Sequence, residues 1–196
     1  MKMINNFEKA IKDEVNELFD NLDMASLEKA KQMILTAEEV GGRVHITGIG
    51  KPSYVSGYIA SLLSSTGTPA YFLDGTEAVH GSSGQVKEND IVIAISNSGE
   101  TAELLYSVRT VKANGAKIFG VSRSKHSSLS RLSDVCLCTA TTNEGDDLNK
   151  PPRASIIKQI LMLQILSVLL QNERSLSPED YVKWHPGGAI GESLGA

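Results

Sequence analysis

The chain has 196 residues, a formal net charge of −4, 41% hydrophobic and 21% charged residues. Those totals fit a globular chain with a sizeable core rather than a disordered one. They contain no basic block of the kind that binds nucleic acid. The N-terminal stretch Met1-Lys2-Met3-Ile4-Asn5-Asn6 is too polar for a secretory signal. The most apolar stretch, residues 156–170, is interrupted by Lys158, Gln159, Gln164 and Ser167, so no membrane span is expected.

Residues 4–39 have helical periodicity. Phe7, Ile11, Val15, Leu18 and Leu22 recur at spacings of three and four, and Asp23 interrupts before a second helix over 26–38. Gly41 and Gly42 stop it. Five short strands follow, over 44–47, 69–73, 91–96, 117–122 and 135–140, separated by helical segments over 54–66, 101–114 and 128–133. Residues 74–86 are polar and irregular, 141–150 form a polar loop, and a long helix runs from Pro151 to about Asn172. From Tyr181 onward the chain has little periodicity and is rich in Gly and Pro. This alternation predicts an α/β fold: a doubly wound, five-stranded parallel sheet flanked by helices, a three-layer flavodoxin-like sandwich. The organisation expected is a single domain over 1–196, with a helical N-terminal extension and a Gly-rich tail over 181–196.

Cys136 and Cys138 are the only cysteines. On a strand they share a face and behave as small apolar residues. The pair lacks companions for a metal site, so no metal is expected, and the compartment implied is reducing, the cytoplasm.

The most informative stretch is Ile91 to Leu105. An apolar strand breaks into Ser96-Asn97-Ser98-Gly99-Glu100-Thr101 and then becomes a helix. A strand, a hydroxyl-rich turn and a helix N-terminus together cradle an anion, since the first helical N–H groups lack partners and the helix dipole is positive there. Gly48-Ile49-Gly50-Lys51 is a second strand-to-helix turn that matches neither a complete dinucleotide fingerprint nor a Walker A loop. Lys51 just beyond it can neutralise a phosphate or an oxyanion. His80, Glu103, Glu144 and His185 are further polar candidates. In parallel sheets ligands bind at the carboxyl ends of the strands, and most of these residues follow strand ends.

Together these motifs resemble sugar isomerase (SIS) domains. The turn Ser96 to Thr101 resembles that superfamily's signature. Glu77-Ala78-Val79-His80-Gly81, Gly48-Ile49-Gly50-Lys51 and the tail His185-Pro186-Gly187-Gly188-Ala189-Ile190-Gly191 resemble the isomerase domain of arabinose 5-phosphate isomerases. The resemblance implies an aldose–ketose isomerase of sugar phosphates that needs no cofactor. It implies a homotetramer, with His185 reaching the site from a neighbouring subunit. Lys51, His80, Glu103, Glu144 and His185 match catalytic positions. Ser96, Ser98 and Thr101 match the phosphate-binding hydroxyls, and Gly50, Ser53, Asn97 and Gly99 beside them are further candidates for the substrate and phosphate side.

Two departures stand out. Most family members continue into a pair of CBS modules, whereas this sequence ends at Gly195-Ala196, so an isomerase domain without those modules is expected. The family also carries Thr and Ser after the proline that opens the long helix. Here Pro152 is followed by Arg153-Ala154-Ser155, with only Ser155 keeping a hydroxyl. Arg153 is expected either to grip phosphate or to reshape the sugar pocket. A hexose or amino-sugar phosphate isomerase and a non-catalytic sugar-phosphate sensor are the rival readings.

Overall fold

The computed structural model of the protein describes residues 1–187. Two helices, α1 (Lys2–Asp20) and α2 (Met24–Glu39), precede the alternating unit. Asp23 lies between them as the N-cap of α2, its carboxylate accepting from the Ser26 amide at 3.0 Å. The strands are β1 (Val44–Gly48), β2 (Ala70–Phe72), β3 (Ile91–Ile95), β4 (Lys117–Ser122) and β5 (Val135–Cys138). The helices between and after them are α3 (Lys51–Ser65), α4 (Ala102–Ala113), α5 (Ser128–Leu132), α6 (Ala154–Glu173) and α7 (Pro178–Trp184).

All strand pairs are parallel, in the order β2-β1-β3-β4-β5. β1 and β3 are neighbours in the sheet although α3 and β2 separate them in sequence, so the winding reverses between them. Alternation along β3 feeds both faces. Ile91, Ile93 and Ile95 pack with α2, α3 and α6, whereas Val92 and Ala94 pack with α4 and α5. The doubly wound, five-stranded sandwich expected from the sequence is therefore the fold. On α6 alone, Met162, Leu163, Leu166 and Leu170 are buried, each contributing on the order of 1.5–3 kcal/mol. This apolar helix is a packed core element, with Lys158 and Gln159 buried beside the leucines.

Several boundaries differ from the sequence expectation. The buried line of α1 is Ala10, Glu14 and Leu18, while Phe7 is exposed and Ile11 and Val15 are half-buried. Glu14 displaces the apolar stripe because Lys158 of α6 stands opposite it, 2.9 Å away. α6 begins at Ala154 rather than Pro151, since a residue preceding proline is disfavoured in helical conformation. The irregular 74–86 segment contains two 3₁₀ turns, Glu77–His80 and Ser82–Gln85.

The tail expected to be aperiodic from Tyr181 includes the end of α7. Its start signal was present in the sequence. Ser177 caps it by accepting from the Asp180 amide at 3.1 Å, Pro178 opens it, and Glu179 and Asp180 fill its first turn. Cys136 and Cys138 share the half-buried face of β5, while Val135 and Leu137 take the core face. Residues 188–191 of the Gly-rich motif lie outside the described residues.

Candidate active site

The carboxyl ends of β1 and β3 lie side by side, with Gly48 opposite Ile95. Beyond Ile95 the hydroxyl turn is stitched to itself. Ser96 Oγ accepts from the Gly99 amide at 3.1 Å and shares a hydrogen bond with Thr101 Oγ1 at 3.2 Å. Ser98 Oγ accepts from the Glu100 amide at 3.2 Å. Gly99 has φ 69°, and a Cβ there would lie 2.4 Å from Ser127 Oγ, so both conformation and space require glycine. Glu100 clamps the turn to α5 by accepting from the Ser128 amide at 2.7 Å. Thr101 is the N-cap of α4, yet its side chain makes no capping bond. The first amides of α4 thus remain open to an anion.

The opposite wall is built by the loop between β5 and α6. Glu144 is buried, and its amide donates to Asn149 Oδ1 at 2.7 Å. Its Oε2 accepts from the Arg153 amide at 2.6 Å and the Ser155 amide at 3.1 Å. The carboxylate therefore satisfies the N-terminus of α6, where the helix dipole also favours it. Among the described residues nothing donates to Oε1 of Glu144.

Glu14 of α1 anchors the start of this loop. Its Oε1 accepts from the Thr142 and Asn143 amides at 2.9 and 2.8 Å and from Thr142 Oγ1 at 2.7 Å. Its Oε2 accepts from Lys158 Nζ at 2.9 Å. Burial alone would raise the Glu14 carboxyl, but Lys158, Thr142 and Asn143 together hold it below its usual value.

These two walls enclose a cavity of about 290 Å³. The cradle contributes Ser96, Asn97, Ser98 and Thr101, the loop contributes Glu144 and Lys150, and α6 contributes Ser155 and Gln159. Ile49, Pro52, Pro152 and Ile156 supply apolar surface. The cavity sits where the winding reverses, at the carboxyl ends of the strands.

Of the sequence-predicted residues, Ser96, Asn97, Ser98, Thr101, Glu144 and Ser155 meet in this cavity. Gly99 shapes its turn from within. Gly50 caps α3 with φ 67°, Lys51 is the first residue of that helix and Ser53 lies in its first turn. Lys51, His80 and Glu103 are exposed and outside the cavity lining. The His80 turn and the first turn of α4 are neighbours, since Ala78 packs in one cluster with Leu104 and Leu105.

Arg153 departs from the first of its two expected roles. Its guanidinium donates to Asp146 Oδ2 at 2.7 Å, outside the cavity lining, so it braces the Glu144 loop instead of gripping phosphate. His185 is stacked on Tyr181 with ring centroids 4.0 Å apart, and its Nδ1 lies 2.8 Å from the Tyr181 carbonyl. Its neighbour Trp184 packs on Gly67, beyond the C-terminal end of α3. The cavity lies at the N-terminus of α6 and His185 beyond its C-terminus, separated by the length of a 20-residue helix, about 30 Å. Within one chain, His185 is not brought to the cavity.

Sequence reasoning missed Lys150 and Gln159. Lys150 was the unremarked end of a polar loop. Gln159 stood out only as a polar interruption of an apolar run, yet spacing did carry a signal: Ser155 and Gln159 are four apart and share a helix face.

The SIS domain family profile matches residues 39–169 of the chain. The arabinose 5-phosphate isomerase KdsD of Escherichia coli K12 is 36% identical over 153 residues, covering 78% of this chain and 47% of that protein. KdsD of Pseudomonas aeruginosa is 34% identical over 166 residues, covering 85% of this chain and 50% of that protein. The chain thus spans about half the length of these relatives. Among solved structures, c3406 of E. coli CFT073, solved as a complex with a ligand, superposes with a TM-score of 0.88 at 31% identity, covering 94% of this chain and 96% of that one.

Proposed function

The chain belongs to the SIS domain family, and from that premise we propose that it is a sugar-phosphate aldose–ketose isomerase, with ribulose 5-phosphate and arabinose 5-phosphate as the first pair to test. The observation that carries this reading is Glu144, a buried carboxylate in the wall of the same cavity as the hydroxyl turn. A module that only binds sugar phosphates needs the cradle alone.

In this mechanism the phosphate is held by the Ser96 to Thr101 turn and the open amides of α4. Fixing that end places the first two sugar carbons across the cavity. Glu144 Oε2 is committed to two backbone amides, which leaves Oε1 to take the proton from C2 of the aldose and return it to C1. The intermediate is an enediol: O1 gains a proton as C2 loses one, and O2 gives its proton up as C1 is reprotonated, so one proton also passes from O2 to O1. Such positioned acid–base transfer is worth about 10²–10⁴-fold in rate. Lys150, at the cavity, and Lys51, at the start of α3, are the cations available to the enediolate oxygens.

His80 and Glu103, the latter in the first turn of α4, are exposed, and His185 is remote in its own chain. A homotetramer in which His185 arrives from a neighbouring subunit would complete the set. The test is to incubate the protein with pentose, hexose and amino-sugar phosphates in deuterated water. Exchange of the C2 proton with a pentose 5-phosphate is expected. Binding without exchange of any sugar would replace the isomerase with a sensor.

A further inference from the structure

Gln159 is fully buried, and neither its Oε1 nor its Nε2 has a hydrogen-bond partner among the described residues. Ser155, one turn earlier on α6, is also fully buried with an unpartnered Oγ, and Asn97 Oδ1 is likewise unpartnered. All three side chains line the cavity that holds the hydroxyl turn and Glu144. Leaving a buried polar group unsatisfied is destabilising. Of the nine such orphaned buried atoms among the described residues, four belong to these three side chains, and Gln159 is the one residue with two of them. The three side chains face the same cavity from its two walls, Asn97 from the cradle and Ser155 and Gln159 from α6.

We infer that Gln159 is a specificity-determining residue that reads a hydroxyl of the sugar beyond its phosphate. This rests on the isomerase reading and deepens it. A carboxamide presents a donor and an acceptor together, and a sugar hydroxyl is the complement of both. A phosphate presents mainly acceptors and would leave Oε1 of Gln159 unpaired, whereas a sugar hydroxyl can satisfy both atoms of the carboxamide. Gln159, with Ser155 beside it, therefore responds to the sugar and not to the phosphate. A site built to bond a hydroxyl also rejects ligands without it far more strongly than an apolar pocket can.

The experiment compares wild type with Gln159→Leu and Gln159→Glu, using calorimetric binding of the panel sugar phosphates and of inorganic phosphate, with turnover where it occurs. In Gln159→Leu, the dissociation constant and KM for the favoured sugar phosphate should rise about ten- to a hundredfold. Inorganic phosphate should bind unchanged. The variant should melt no lower than wild type, because an apolar replacement removes unpaired buried groups. Gln159→Glu loses the donor and should bind the sugar phosphate more weakly by at least about tenfold. Unchanged sugar binding in Gln159→Leu would overturn the inference, with the isomerase reading intact. A lower melting temperature with equal loss of sugar and phosphate binding would also overturn it, making the residue structural. Sugar-selective loss without proton exchange in wild type would keep the inference and sink the isomerase. If no sugar phosphate binds the wild type, both fall.

Discussion

Lys158 Nζ lies 2.9 Å from the Glu14 carboxylate, and the side chains are 0% and 7% exposed, so α1 and α6 are joined by a buried ion pair. Glu17 also contacts the ammonium from a half-exposed position. Removing Glu14 leaves the buried ammonium with the half-exposed Glu17 as its remaining partner. Glu14→Leu should cost about 1–3 kcal/mol, read as a lower denaturant midpoint. The double variant Glu14→Leu/Lys158→Met should regain part of that stability, since no charge is left buried. It should not regain activity, because the Thr142 and Asn143 amides still lack their acceptor and the Glu144 loop is untied. Full kcat in the double variant would separate Glu14 from the site.

Glu144 has two tasks that substitution can divide. Its Oε2 satisfies amides at the N-terminus of α6, which a carboxamide oxygen can also do. Glu144→Gln should therefore fold with little loss of stability while kcat falls about 10²–10⁴-fold. Glu144→Ala removes both functions and should in addition cost about 1–2 kcal/mol, the value of a lost helix cap. Near-full turnover in Glu144→Gln would exclude it as the base. Chemical denaturation of the same samples checks the structural half.

Asp23 gives an acid-sensitive joint. It caps α2 through Ser26 and pairs with Lys125 at 2.7 Å, and these contacts, the Lys125 bond foremost, lower its pKa to about 2. The folded value lies below the unfolded one near 3.8. The stabilisation is thus fully present above about pH 4 and is lost as pH falls toward 2. Asp23→Asn keeps a capping oxygen but cannot titrate. Its stability should be lower than wild type at about pH 6 and converge with it by about pH 2. A constant difference across that range would show that Asp23 contributes nothing through its charge.

The sheet and the cradle were legible because both are written in local pattern. Buried parallel strands are continuous apolar runs, and a strand–turn–helix of Ser, Gly and Thr has few alternative meanings. What escaped was set by contacts between distant segments. Glu14 lies in a helix whose apolar spacing points to Ile11 and Val15, and its burial is explained only by distant partners: Lys158, 144 residues away, and the Thr142 and Asn143 amides. Arg153 has the chemistry to bind phosphate, but Asp146 is a nearer partner. Gln159 carries no motif at all. Its meaning comes from being fully buried in a cavity wall without a partner among the described residues, which no spacing rule states.

His185 provides the test of assembly. In its own chain it is pinned to Tyr181 beyond the far end of α6, so a catalytic role requires another subunit. Glu144→Gln and His185→Ala should each be nearly inactive alone. When the two variants are unfolded together and refolded as a mixture, some interfaces join one chain of each kind. Across a symmetric interface, such a pair holds one site with both lesions and one with neither. Random pairing therefore restores about a quarter of the sites, and turnover should recover to that level. If His185 acts within its own chain, every site keeps one lesion and the mixture stays inactive. Full activity of His185→Ala alone would remove the residue from the reaction. Size-exclusion measurement of the mixture confirms that the chains have reassembled before the rate is read.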